Sequence, residues 1–167
     1  MARQSQSWKD LERTVANSLG GKRIYRGSDF SESLPDVDHP LFGIECKYRT
    51  EPPKLYYKYW DDFTSHYHTT NIVMIHKDRA ITTLENLRAY YTDYDNYSSL
   101  MAEIPENKKL VKFLEKALIQ AAGYNKKKIP MVVLKKKADR KEFIYMKFED
   151  WENLKYVKAR QKIQEAP

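Results

Sequence analysis

Apolar side chains recur at helical spacing over some stretches of the chain and in short strand-like runs over others. The clearest helical stripe consists of Trp8, Leu11, Val15 and Leu19. This spacing of three and four residues places all four on one side of a helix. Helices are therefore predicted at 8–19, 108–122 and 149–164. Short apolar or alternating runs predict strands at 22–26, 35–38, 42–48, 129–135 and 143–148.

Residues 52–107 form a middle region with its own character, beginning at the chain break of Pro52-Pro53. A helix is expected over about 56–67, a strand at 71–76, a helix at 82–91 and an irregular loop at 92–106. Aromatic side chains at helical spacing are typical of a core or a dimer contact, which is our interpretation of Tyr56, Tyr59, Trp60 and Phe63. Two roles stay open, packing or stacking on bases, for Tyr90, Tyr91, Tyr94 and Tyr97.

The order of helices and strands predicts an α/β fold, with a mixed β-sheet flanked by helices. The length of 167 residues suits one domain, spanning 1–167.

The composition is globular, with 41% hydrophobic and 32% charged residues, which excludes a disordered chain. No apolar run is long enough for a membrane span, so a cytoplasmic, intracellular protein without a membrane partner is expected. Cys46 is the single cysteine, which excludes an internal disulfide and a cysteine-based zinc site. The net charge of +7 favours a polyanionic partner such as DNA, although it also fits a merely soluble surface.

Two acidic positions and one lysine carry the candidate chemistry. On a strand over 42–48, Glu45 and Lys47 share one face, because side chains alternate. Asp36 lies on the preceding strand, across a short turn, and Asp38 shares its face and is the alternative. Carboxylates that converge from two strands suit Mg²⁺, which prefers hard oxygen ligands. A surface ion pair between Glu45 and Lys47 is the simpler alternative.

The segment Pro35-Asp36, a short hairpin, then Glu45-Cys46-Lys47 resembles the PD-(D/E)XK nuclease superfamily. The resemblance implies a restriction-endonuclease-like core and hydrolysis of DNA phosphodiesters with Mg²⁺, for which Mn²⁺ substitutes. It also implies that Asp36, Glu45 and the main-chain carbonyl of Cys46 bind the metal. Lys47 is then expected to orient the attacking water or to stabilise the phosphate.

Other positions extend the resemblance to about residues 7–48 and 108–154, which implies that about 52–107 are an insertion into the domain after the third strand. Glu12 matches an acidic residue that the superfamily often carries on its first helix near the metal, so it is a further candidate ligand. Arg26 and Ser28 resemble the basic residue and serine in the mobile loop of archaeal-type Holliday junction resolvases. Gln120 lies in a helix that resembles the closing helix of phage resolvase-like members. The remaining candidates for binding DNA are Lys22, Arg23, Lys126, Lys127 and Lys128.

These observations favour a Holliday-junction resolving endonuclease that acts as a homodimer, because a four-way junction has near two-fold symmetry. Phage members of the group suggest a viral or prophage origin in a bacterial host. Two alternatives stay open. One is an endonuclease of the same superfamily acting on other DNA in restriction, repair or nicking. The other is a basic DNA-binding module without catalysis.

Overall fold

An eight-stranded mixed β-sheet with helices on both faces makes up the computed structural model of the chain. The structure describes residues 8–24, 34–50, 54–93, 96–105, 112–137 and 139–165. Within them the strands are β1 (Lys22–Arg23), β2 (Val37–Asp38), β3 (Phe42–Arg49), β4 (Ile72–His76), β5 (Arg79–Thr83), β6 (Leu100–Glu103), β7 (Ile129–Lys136) and β8 (Glu142–Lys147). The helices are α1 (Trp8–Leu19), α2 (Lys54–Tyr67), α3 (Leu84–Thr92), α4 (Lys112–Tyr124) and α5 (Phe148–Glu165).

The strand order across the sheet is β1-β2-β3-β7-β8-β5-β4-β6. β3 runs parallel to β7, with Phe42 opposite Ile129 and Arg49 opposite Lys136. β4 and β6 are also parallel, whereas the other neighbours are antiparallel. The expected α/β architecture, a mixed sheet flanked by helices, is therefore confirmed.

Two hydrophobic clusters cover the two faces of the sheet. One packs α1, α3 and α5 against the sheet, and the other packs α2 and α4 against the opposite face. Ile44 and Cys46 of β3 belong to the first cluster, as their alternation predicts. Val132, the register partner of Glu45 on β7, belongs to the second. Alternation along β3 therefore places Glu45 and Lys47 on the α4 face.

The helix predicted at 8–19 is confirmed, but one member of its apolar stripe is not in the core. Leu11 and Val15 are fully buried and Leu19 is 5% exposed, whereas Trp8 is 53% exposed. The angular position of Trp8 agrees with the stripe. As the first residue of α1, however, it lies at the helix end, where it lines a surface cleft.

The helix predicted at 82–91 begins at Leu84, because the residues before it form β5 instead. β4 and β5 pair as a hairpin whose turn includes Lys77 at a φ of 53°. Thr83 ends β5 and also caps α3, since its side chain accepts a hydrogen bond from the Asn86 N–H. Thr83 thus ends the strand and caps the helix, so helical periodicity alone did not show where the strand ends and the helix begins.

The irregular loop expected at 92–106 is partly wrong, since it contains β6, which pairs with β4 at the edge of the sheet. Leu100 and Met101 are 38% and 44% exposed, and Ala102 is 4% exposed. An edge strand with a single buried side chain has no regular hydrophobic alternation, so the pattern did not indicate it.

Two of the four α2 aromatics assigned to a core lie in it, while Tyr59 and Phe63 are half-buried and pack against it. Tyr56 and Trp60 are 1% and 6% exposed and belong to the cluster on the α4 face. Tyr90 and Tyr97, whose role was open, stack on one another with ring centroids 5.4 Å apart. Tyr90 is 9% exposed and belongs to the core on the α1 face, so packing rather than base stacking describes it.

The segment 52–107 supplies α2, β4, β5, α3 and β6. β5 pairs with β8, so these strands extend the sheet that carries β3 and β7. The helix predicted at 108–122 is observed as α4, while 108–111 lie outside the described residues. Among the helices that the structure describes, none has the length and apolarity to cross a membrane.

Candidate active site

The pairing of β2 with β3 ends at Val37, the first residue of β2, and at its register partner Ile44. Beyond this pair the Asp36 N–H donates to the Ile44 carbonyl at 3.0 Å, and the Cys46 N–H donates to Asp36 Oδ2 at 2.7 Å. The Asp36 carboxylate thus accepts the Cys46 N–H at the edge of β3, where a carbonyl of a neighbouring strand would otherwise accept it. The N–H and C=O of one strand residue leave the strand on the same edge, so the Cys46 carbonyl also points there.

Glu45 and Lys47 form an ion pair on the α4 face of β3. The Lys47 Nζ lies 3.1 Å from Glu45 Oε1, and the Glu45 side chain is only 6% exposed. The Tyr124 hydroxyl, from the end of α4, donates to Glu45 Oε2. The carboxylate is therefore buried and held from two directions, unlike one in a solvated surface pair.

A glycine allows the end of α4 to lie close on β3. A Cβ atom at Gly43 would be 3.3 Å from the Ala121 carbonyl oxygen, tighter than most contacts of this kind. The close approach brings Tyr124 to Glu45, a partner that sequence reasoning missed. Gln120 precedes Tyr124 by one helical turn, and its side chain is exposed. Residues four apart lie on the same side of a helix, so the candidate Gln120 could have drawn attention to Tyr124.

Glu12 reaches the same region from α1. It is 5% exposed, and its Oε1 accepts a hydrogen bond from Arg23 Nε of β1 at 2.8 Å. A buried carboxylate is costly unless a cation or donors compensate it, and Arg23 does so here. The resemblance that singled out Glu12 therefore falls on a buried acidic residue rather than on an exposed flanking charge.

The thiol of Cys46 shows that these groups are near one another. Burial raises its pKa well above the ordinary value, and Asp36, Glu12 and Glu45 raise it further in that order, while Lys47 lowers it. Three carboxylates and one ammonium thus act electrostatically on a single sulfur atom. Asp36, like Cys46, is 8% exposed, so all three carboxylates are buried. The structure brings together residues from α1, the start of β2, and β3.

The donor chemistry fits a hard divalent cation. Mg²⁺ is typically held by one or two protein carboxylates and keeps several waters. Asp36, Glu45 and the Cys46 carbonyl supply oxygen donors of that kind around the edge of β3. Within the described ranges no group of three or more His, Cys, Asp or Glu side chains is arranged to hold a metal. Oxygen donors of this kind suit a cation that keeps several waters, as Mg²⁺ does.

A cleft of about 440 Å³ lies beside Glu12 and Asp36. Its lining includes these two acidic residues and three basic ones. The residues are Trp8, Lys9, Glu12, Arg13, Arg23, Ile24 and Asp36. The cleft gives Glu12 and Asp36 a shared access route.

Asp38, the alternative to Asp36, faces a different neighbour. Its side chain is 53% exposed, and its Oδ1 lies 2.5 Å from the Lys128 Nζ. Lys126 and Lys127 are exposed on the same turn before β7. Asp38 therefore joins a basic turn instead of the buried carboxylates.

The remaining candidates for binding DNA divide between the surface and the segments outside the described residues. Lys22 is exposed on β1, next to Arg23 at the cleft. Arg26 and Ser28 lie outside the described residues, so their expected place near a scissile phosphate stays a prediction. The positive charge nearest to the carboxylates comes from Arg23 and Lys47.

Comparison of the chain with family models, with curated proteins and with solved structures returned no match. The class that fold and site define is therefore an α/β protein with an eight-stranded mixed sheet and a buried cluster of carboxylates. That cluster lies where the pairing of β2 with β3 ends.

Proposed function

We propose that this protein is a metal-dependent DNA endonuclease with a restriction-endonuclease-like, PD-(D/E)XK-type core. One observation carries the proposal: the buried Asp36 carboxylate accepts the Cys46 N–H beside the buried Glu45–Lys47 pair, and it shares a cleft with the buried Glu12. Burial of like charges together opposes folding, so such a cluster is typical of a site that binds a cation.

Asp36, Glu45 and the Cys46 carbonyl would hold Mg²⁺, with Mn²⁺ as a substitute. A bound divalent cation would supply a water of lowered pKa and stabilise negative charge on the phosphate. Glu12, which lines the same cleft as Asp36, would contribute a further ligand or hold a coordinated water. The role of these residues is to bind and orient, because their own burial fixes their positions.

Lys47 supplies a positive charge beside the proposed metal ligands. Its ammonium lies 3.1 Å from Glu45 Oε1, which keeps it beside the proposed metal ligands. From there it orients the attacking water or stabilises charge on the phosphate oxygens. Tyr124 supports this arrangement, since its hydroxyl holds the other oxygen of Glu45.

The proposed substrate is branched DNA, in particular a four-way junction cut by paired symmetric nicks. The net charge of +7 supports a polyanionic ligand, because lysine and arginine contacts to phosphate dominate affinity for DNA. A homodimer would present two such sites with the near two-fold symmetry of the junction. The basic turn Lys126–Lys128 adds exposed positive charge next to β2.

The test is cleavage of a labelled synthetic four-way junction beside a linear duplex of the same sequence, with and without Mg²⁺. The matched inactive variant is Glu45→Gln, which keeps the size of the side chain and removes its charge. Metal-dependent paired nicks in the junction alone support resolution. Cleavage of both DNAs keeps the site and discards junction selectivity, and cleavage of neither, with Mn²⁺ also tried, overturns the proposal.

A further inference from the structure

α1 presents one large aromatic side chain to solvent at the mouth of the cleft. Trp8 is 53% exposed, whereas the other two tryptophans, Trp60 and Trp151, are 6% and 2% exposed. Exposure of an indole leaves one of the largest apolar side chains in water. An exposed aromatic of this size marks a binding surface when its surroundings also point to a ligand.

The surroundings of Trp8 are cationic. The Lys9 Nζ lies 5.5 Å from the centroid of the indole ring, and the Arg23 guanidinium carbon lies 5.9 Å from it. Arg13, which is paired with Asp10, also lines the cleft. A flat aromatic face among positive charges is the combination that binds single-stranded nucleic acid, because the ring stacks on a base while the cations follow the backbone.

The spacing between Trp8 and the acidic groups fits one nucleotide. Trp8 and Glu12 are four residues apart on α1, which places them on one side of the helix about 6 Å apart. Arg23 joins them, since its Nε bonds Glu12 while its guanidinium lies against Trp8. The phosphate of a base stacked on Trp8 would then lie within reach of Arg23, on the side of Glu12.

We infer that this cleft holds an unpaired nucleotide of the DNA strand, with its base on Trp8 and its phosphate next to Arg23. The inference rests on the proposed function and names the kind of DNA that the site takes. In an intact duplex each base is stacked between its neighbours, so its face reaches Trp8 only after unstacking. Unpaired nucleotides at a branch point meet this requirement without that cost.

The experiment measures binding of a short oligothymidylate in EDTA by intrinsic tryptophan fluorescence. Because Trp60 and Trp151 are buried, quenching by the oligonucleotide reports on Trp8. Trp8→Ala is expected to abolish the quenching and to weaken the affinity for oligothymidylate by about tenfold or more. The affinity for a linear duplex, measured by anisotropy, should change far less. Tyr156→Ala, which removes another exposed aromatic side chain, is the control expected to bind as the wild type does.

Unchanged oligothymidylate affinity in Trp8→Ala overturns the inference, and so does an equal loss for the duplex, which would place Trp8 against the backbone. A wild-type emission spectrum that depends on protein concentration but not on oligonucleotide would show a second copy covering this face, and would overturn it as well. The assay contains no metal, so its failure leaves the cleavage proposal untouched. Conversely, absence of cleavage does not alter the fluorescence result.

Discussion

Asp36 makes a structural hydrogen bond and is also a proposed metal ligand, and two substitutions separate these roles. Its Oδ2 accepts the N–H of Cys46 at 2.7 Å, and both residues are 8% exposed. Asp36→Ala leaves that amide without this acceptor, and a buried unsatisfied donor costs about 1–3 kcal/mol. Asp36→Asn offers an amide oxygen in the same place. The bond becomes weaker, but one of three neighbouring negative charges is removed, so the free energy of unfolding should change by less than about 1 kcal/mol.

The free energy of unfolding is measured by urea denaturation in EDTA, and cleavage is measured separately in Mg²⁺. Both variants are expected to lose cleavage by more than about a hundredfold, because each lacks the charged ligand. DNA binding by Asp36→Asn without metal should be preserved or strengthened, since the site then repels phosphate less.

Two outcomes would refute this reasoning. Equal stability of the alanine and asparagine variants would show that the hydrogen bond to Cys46 contributes nothing. Wild-type cleavage by Asp36→Asn would remove Asp36 from the metal site and point to Asp38, which the corresponding asparagine variant would then test. Asp38→Asn is otherwise expected to retain cleavage, because its carboxylate faces Lys128.

Four further substitutions test the contacts around the sheet. Arg79 donates two hydrogen bonds to Glu115 and holds the pKa of that carboxyl below its ordinary value. The pair therefore stabilises the fold above about pH 4.3, and this stability is lost as the pH falls through the depressed pKa. Glu115→Gln should remove about 1 kcal/mol of that pH dependence after solvent screening, and identical denaturation curves from pH 3 to about 6 would contradict it. Gly43→Ala should displace the end of α4 and lower both stability and cleavage. Gly123→Ala, with open space around the added Cβ, should instead stabilise the helix by about 0.5–1 kcal/mol. The reverse order of stability in urea denaturation would refute the packing argument. Thr83→Ala should cost about 1 kcal/mol through loss of the α3 cap, and no change in the urea midpoint would discount the cap.

The sequence predicted which side chains of β3 share a face, because strand alternation is a local property. Ile44 and Cys46 are apolar and buried, so the intervening Glu45 and the following Lys47 had to share the opposite face. The short hairpin before β3 similarly limited where Asp36 could lie. Neighbouring positions in the chain thus determined most of the carboxylate cluster.

The contacts that complete the site depend on packing between distant segments. Tyr124 is 79 residues from Glu45, and their meeting depends on how closely the end of α4 lies on Gly43. Helical periodicity locates the helix but not the position of its end over the sheet. The exposure of Trp8 also depends on packing between distant segments. Its place in the apolar stripe is correct, but whether it is buried depends on how far the core extends.

The buried carboxylates also make metal binding measurable without any DNA. Glu12, Asp36 and Glu45 are all buried, and only the folded state brings Asp36 and Glu45 together, so a divalent cation held by them would bind the folded state alone. A ligand that binds only the folded state stabilises it by about 2.7 kcal/mol at a hundred times its dissociation constant. Mg²⁺ or Mn²⁺ should therefore raise the thermal midpoint of the wild type and of Asp38→Asn, but not that of Asp36→Asn. A midpoint that is independent of either metal in the wild type would exclude the proposed metal site, whatever the cleavage assay shows. An equal rise in all three proteins would locate the cation elsewhere on the chain.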